Sequence, residues 1–137
     1  MTQTGNASPA LQTSQPALAA DAIAPDGSEV RLLCDGPRGG MALFTLPPDA
    51  VAHAVVHRNV EELWYVLAGR GRIWRRHAAH EEIVTLVPGV SVNLPVGTMF
   101  QFRSDDAEPL VVLGVTMPPW PGATEAVPVA GVWAPTG

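Results

Sequence analysis

His57 and Glu62 are the pair in this chain best suited to chemistry: an imidazole and a carboxylate near one cavity can relay a proton without a metal. The same two side-chain types also ligate metals, and His53 shares strand parity with His57, so His53, His57 and Glu62 make a two-histidine, one-carboxylate set in type. Spacing argues against that set. Four positions along a strand span about 13 Å at roughly 3.3 Å per residue, too far for one ion unless a bulge near Ala54 closes the gap. His53 is therefore expected at an exposed rim. For Glu62 the competing role is an ion pair, with Arg58, Arg72 and Arg103 as candidate partners. His77 and His80 stand three apart in the charged stretch 75–82, expected to be a solvated hairpin loop, with only Glu81 or Glu82 to complete a metal site.

Composition removes several chemistries. The 8 positive side chains are all arginine, which excludes a Schiff-base lysine, a Walker-type phosphate lysine and covalent pyridoxal chemistry within the chain. A single cysteine, Cys34, excludes an internal disulfide and a cysteine-based zinc site, and reads as a buried or idle thiol. The net charge of −5 and the scattered arginines leave no footprint for a nucleic-acid backbone. The N-terminus has no basic, then apolar, leader pattern, and no stretch approaches the roughly 20 apolar residues that span a bilayer. The expectation is a cytoplasmic protein with no membrane partner.

The elements that must position these residues are short. Apolar runs at 29–34, 41–46, 52–57, 63–67, 71–75, 82–87, 91–94, 99–103 and 109–116 are each of strand length. They are separated by turn signals such as Asp26-Gly27, Gly39-Gly40, Pro88-Gly89 and Pro95-Val96-Gly97. No window of helical length survives between them, so the fold class is all-β, a sandwich or barrel. Residues 1–22, poor in large apolar side chains, are expected to be a disordered or loosely attached tail ahead of a single domain over 23–137. The proline-rich run 117–122 cannot continue a strand and is expected to wrap back over the barrel. There Trp120, and similarly Trp133, would cover a mouth or a dimer seam.

The segment His57 to Gly69, with Glu62 to Gly69 at the right spacing, resembles the first motif of the cupin superfamily, HxHxxxxE followed by six residues and Gly. Gly89, Pro95 and Gly97 fall where the second motif of that superfamily has them. The resemblance covers about residues 40 to 117. It implies a cupin-type double-stranded β-helix, a small jelly-roll barrel whose mouth commonly holds one divalent transition metal on three histidines and a glutamate. At best two of those four ligands remain here. Counting back from Glu62 puts His57 on the second histidine of the motif and Val55 on the first; an alternative count puts Val56 and Arg58 there. The histidine of the second motif is Phe100, and Ser104 replaces a later asparagine.

If Glu62 points inward, strand parity takes Trp64 and Val66 with it, and Phe102 accompanies Phe100. Trp64, Phe100 and Phe102 are thus the expected ligand-binding residues, with Met117 and Trp74 as additions to the wall. An aromatic, apolar cavity with few polar groups suits a flat or hydrophobic small molecule. Three functions follow. One is metal-independent proton transfer of isomerase, cyclase or lyase type, with His57 as base or acid and Glu62 as its partner. Another is a metal-dependent, dioxygenase-like reaction with His57 and Glu62 as remaining ligands. The third is binding of a small molecule without catalysis. A homodimer is the expected assembly.

Overall fold

The computed structural model describes residues 10–137, and all its regular elements are strands. In chain order they are β1 Ala22–Ile23, β2 Glu29–Gly36, β3 Gly39–Leu46, β4 Val55–His57, β5 Glu61–Ala68, β6 Gly71–His77, β7 His80–Leu86, β8 Ser91–Leu94, β9 Met99–Ser104, β10 Leu110–Met117 and β11 Ala126–Pro128. They form two antiparallel sheets ordered β1-β2-β3-β10-β5-β8 and β11-β4-β9-β6-β7, the two layers of a jelly-roll sandwich.

Alternation decides which side chains enter the space between the sheets. Along β5 every second residue is buried, so Glu62, Trp64 and Val66 face inward while Leu63, Tyr65 and Leu67 face out. Leu110 and Val112 of β10 do the same on the neighbouring strand and meet Ile73, Leu86, Leu94 and Phe102 in the core. Gly69 turns β5 into β6 at φ 84, and a Cβ there would collide with the backbone of Pro109.

Several boundaries differ from those expected. The run at 52–57 is strand only over Val55–His57, because Ala52 and His53 spend their amides on Phe102 and Asp26 carbonyls outside any ladder. The stretch 75–82 is not a loop. Strands β6 and β7 continue to a two-residue turn at Ala78 and Ala79, and His77 pairs with His80 across it. Strand β11 has no counterpart among the expected runs. It adds to β4 with Ala126 opposite His57, and its Pro128 is tolerated because β11 is an edge strand.

The tail expected to be loose through residue 22 is attached from Gln12 onward, whereas residues 1–9 of that expected tail lie outside the described residues. Gln12 exchanges two hydrogen bonds with the backbone of Asp35, at 2.9 and 3.0 Å, and Arg31 donates to the carbonyls of Ala17 and Leu18. At the other end Gln101, buried in β9, donates to the carbonyls of Ala52 and Trp133 and accepts from the amides of Val132 and Trp133. Trp133 then lies against the guanidinium groups of Arg72 and Arg103, which share Asp105.

Candidate functional site

One cavity of about 630 Å³ opens between the sheets, within the size range of small-molecule sites. His57 enters it from the end of β4 and Glu62 from the start of β5, joined by the turn at 58–60. Glu62 is 3 % exposed and His57 7 %, so an unpaired charge on either would be costly. Glu62 is doubly held. Its Oε1 accepts the indole N–H of Trp64 at 2.9 Å, and its Oε2 lies 3.0 Å from Nδ1 of His57. Indole nitrogen can only donate, so Oε1 accepts; with Glu62 ionised and His57 neutral, Nδ1–H donates to Oε2 and Nε2 keeps its lone pair. The imidazole is further fixed between Phe100 and Trp120, with ring centroids at 5.2 and 5.0 Å and both contacts edge-to-face.

Phe44, Trp64, Phe100 and Trp120 make the part of the wall nearest the pair aromatic, while aliphatic side chains such as Ile23, Val30, Leu32 and Met41 line much of the rest. Trp64 packs edge-on against Phe100 at 5.8 Å, and Phe44 tilts against Trp64 at 5.9 Å from the other side. Gly114 makes room for Phe44, since any Cβ at that position would run into the ring. Phe102 does not line the cavity. It is fully buried beneath Trp64, with ring centroids 4.8 Å apart, so it supports the indole from within the core. Trp74 also points elsewhere, donating to Glu81 at 2.7 Å. Trp120 does cover the cavity, as the wrap-back of the proline-rich segment implied, whereas Trp133 sits away from it.

None of the candidate arginines for Glu62 reaches it: Arg72 and Arg103 pair with Asp105, and Arg58 donates to the carbonyl of Thr124. His53 lies outside the cavity lining, with its ring beside Gly27. His77 and His80 are exposed at their turn. Cys34 is half-buried on β2 and does not line the cavity.

Two acids of the site have no signal in the sequence. Asp26, in the turn before β2, lines the same cavity at 8 % exposure. Burial pushes its carboxyl above the usual carboxylate range and the charge of Glu62 adds to that, against hydrogen bonds from the amide and hydroxyl of Ser28 and the attraction of His57. Glu125 lies just before β11 and grips the turn at 58–60, accepting from the amides of Asn59 and Val60 and from the Asn59 side chain. Burial alone would raise it, but those donors, aided by His57, hold it below the usual range. An Asp-Gly-Ser turn and a glutamate in a proline-rich segment carry no local pattern for either role.

The cupin domain family matches residues 42–116 of this chain. The chain is a cupin. No curated relative matches it in sequence. Among solved structures it is similar to BH2720 from Bacillus halodurans, at 19% identity and TM-score 0.61, covering 73% of this chain and 74% of that one. TT1209 from Thermus thermophilus is similar at 24% identity and TM-score 0.57, over 72% and 90% of the two chains. Oxalate decarboxylase from Bacillus subtilis, which has Mn(II) centres, is similar at 22% identity and TM-score 0.60; this cupin covers 27% of that chain with 74% of its own length. These likenesses are of fold.

The divalent metal associated with the cupin motifs does not fit the residues this cupin places there. Val55 is packed in the core where one ligand would stand, and Phe100 occupies the place of another. The two remaining donors are spent on each other, and no group of three histidine, cysteine, aspartate or glutamate side chains among the described residues could hold a metal ion. Among the described residues, no helix is long and apolar enough to cross a membrane.

Proposed function

We propose that this cupin catalyses proton transfer on a hydrophobic or aromatic small molecule, of isomerase, cyclase or lyase type and independent of a metal. The observation that carries the reading is the oriented imidazole: Glu62 holds Nδ1 of His57 while Nε2 is left free beside an aromatic cavity wall. This is how a neutral histidine is arranged to act as a general base, its tautomer fixed by a carboxylate and its conjugate acid stabilised by the same group. Trp64 and Phe100, in edge-to-face contact with each other, would form one aromatic wall for a flat ligand beside His57, and the water excluded by Trp120 would strengthen the electrostatics of the transfer.

The test uses 5-nitrobenzisoxazole, a flat aromatic probe that one base opens by removing a carbon-bound proton, with release of a coloured phenoxide. Catalysis by the wild type, abolished in His57→Ala and strongly reduced in Glu62→Gln, supports the reading. Binding of the probe without elimination would leave a binding module in its place.

The protein partner expected is a second copy of this chain. Leu63, Tyr65 and Leu67 are each about half exposed on the outer face of β5, where Leu113 and Leu43 extend the apolar surface across β10 and β3.

A further inference from the structure

Asp26 is the one buried carboxyl of the cavity that the His57–Glu62 relay does not use. Its Oδ1 accepts both the amide of Ser28, at 2.9 Å, and the Ser28 hydroxyl, at 2.7 Å, so two donors aim that oxygen and hold the side chain in place. Its Oδ2 has no hydrogen-bond partner among the described residues and belongs to a residue of the cavity wall. The groups acting on Asp26 are Glu62 and His57 across the cavity and His53, whose amide donates to the Asp26 carbonyl at 2.8 Å. Asp35 is the further acid of the wall. No arginine lines the cavity, and the chain has no lysine. A carboxylate or phosphate ligand would therefore find acids and no cation to meet it, which selects a neutral molecule. The aromatic wall selects a flat one.

We propose that Asp26 is the acid of this site and that the substrate is a neutral, enolisable aryl ketone. Its carbonyl oxygen takes a proton from Oδ2 of Asp26 while Nε2 of His57 takes the α-proton. The inference rests on the proton-transfer reading and deepens it. The step balances within the protein and ligand. The C–H bond breaks toward His57, its electron pair becomes the carbon–carbon double bond of the enol, and the carbonyl π pair moves to oxygen, which binds the Asp26 proton. Return of a proton from His57 to carbon, with the enol proton going back to Asp26, restores both groups. Burial of Asp26 and the nearby charge of Glu62 favour the protonated carboxyl that this role requires.

Two probes separate the acid from the base. Exchange of the α-protons of 1-tetralone in deuterated water, followed by NMR, calls on an acid at the carbonyl oxygen. Elimination of 5-nitrobenzisoxazole releases a stable phenoxide and needs little more than the base. Asp26→Asn is expected to slow ketone exchange about 100-fold, the size of a general acid's contribution, and elimination by only a few-fold. Equal loss in both reactions, or ketone exchange at the wild-type rate, would overturn the role of Asp26 while the base reading stands. A wild type that eliminates the probe but does not exchange the ketone would overturn the substrate class. A wild type inactive in both would overturn the base reading, and the acid role with it. Independently of any probe, the carboxyl carbon resonance of Asp26, assigned by its loss in Asp26→Asn, should lie at its protonated position at neutral pH. An ionised Asp26 there contradicts the proposal.

Discussion

At the scale of residues, the polar groups around His57 have their partners counted out. Glu62 has two carboxylate oxygens and two partners, Trp64 and His57, so one nitrogen of His57 stays uncommitted. His57→Ala should lower elimination of the nitrobenzisoxazole probe by roughly 10²–10⁴-fold, the usual worth of a positioned base, measured as kcat/KM. Asp26 gives a prediction about stability with a definite sign. Its folded-state pKa is raised, so its favourable contribution is present in acid, below the ordinary value of about 3.9, and is lost as pH rises through the folded value. Asp26→Asn cannot ionise. Its thermal stability relative to wild type should therefore improve as pH rises above the ordinary carboxyl value, until the folded-state value is passed, and a Tm difference that does not change with pH would contradict the raised carboxyl.

At the scale of elements, His57 and Glu62 sit astride a turn that another part of the chain holds in place. Glu125 satisfies the amides of Asn59 and Val60, and the Asn59 side chain as well. The same segment brings Trp120 against His57 and pairs β11 with β4. Glu125→Gln should destabilise the fold by about 1.5–3 kcal/mol at neutral pH, the range for hydrogen bonds to a charged group. Here the sign is opposite to that of Asp26. The folded pKa is lowered, so the contribution exists above the ordinary value of about 4.3 and disappears as pH falls through the folded one. The deficit of Glu125→Gln should shrink on acidification, which denaturant titrations at a series of pH values will read. Asp105, also held low, chiefly by its hydrogen bond from Arg72, titrates in the same direction at the far end of the sheet, so the comparison must be made as a difference from wild type.

At the scale of the molecule, the two faces of the six-stranded sheet have different tasks. The inner face supplies Glu62, Trp64, Phe44 and Thr116 to the cavity, while the outer face presents Leu63, Tyr65 and Leu67 to solvent. Tyr65 and Leu43 both lie opposite Leu113 in the ladder, so the apolar surface is continuous across three strands. A homodimer through this surface predicts that Leu113→Glu, by placing a charge at its centre, yields a monomer in sedimentation. Activity toward the nitrobenzisoxazole probe should persist, because the cavity opens from the other face.

The amino-acid sequence by itself determined the all-β class, the shared face of Glu62 and Trp64 and that of Phe100 and Phe102, and the cupin motifs, because turn residues and a period of two are local properties that any sandwich must obey. It also put Phe100 at a motif position that the family fills with a metal ligand, while leaving two counts open for the first motif, Val55 with His57 or Val56 with Arg58. Local pattern could not say that Phe102 lies beneath the cavity instead of lining it, since parity gives a face and not a depth. Nor could it choose between arginine and histidine as the partner of Glu62; that depended on β4 ending with His57 beside the start of β5. The burial of Asp26, the hold of Glu125 on the turn at 58–60 and the attachment of the tail from Gln12 were decided only by tertiary structure. Each joins residues distant in sequence, and a hydrogen-bond partner or the loss of solvent around a carboxyl is a property of the neighbours that folding brings, not of the residues alongside it in the chain.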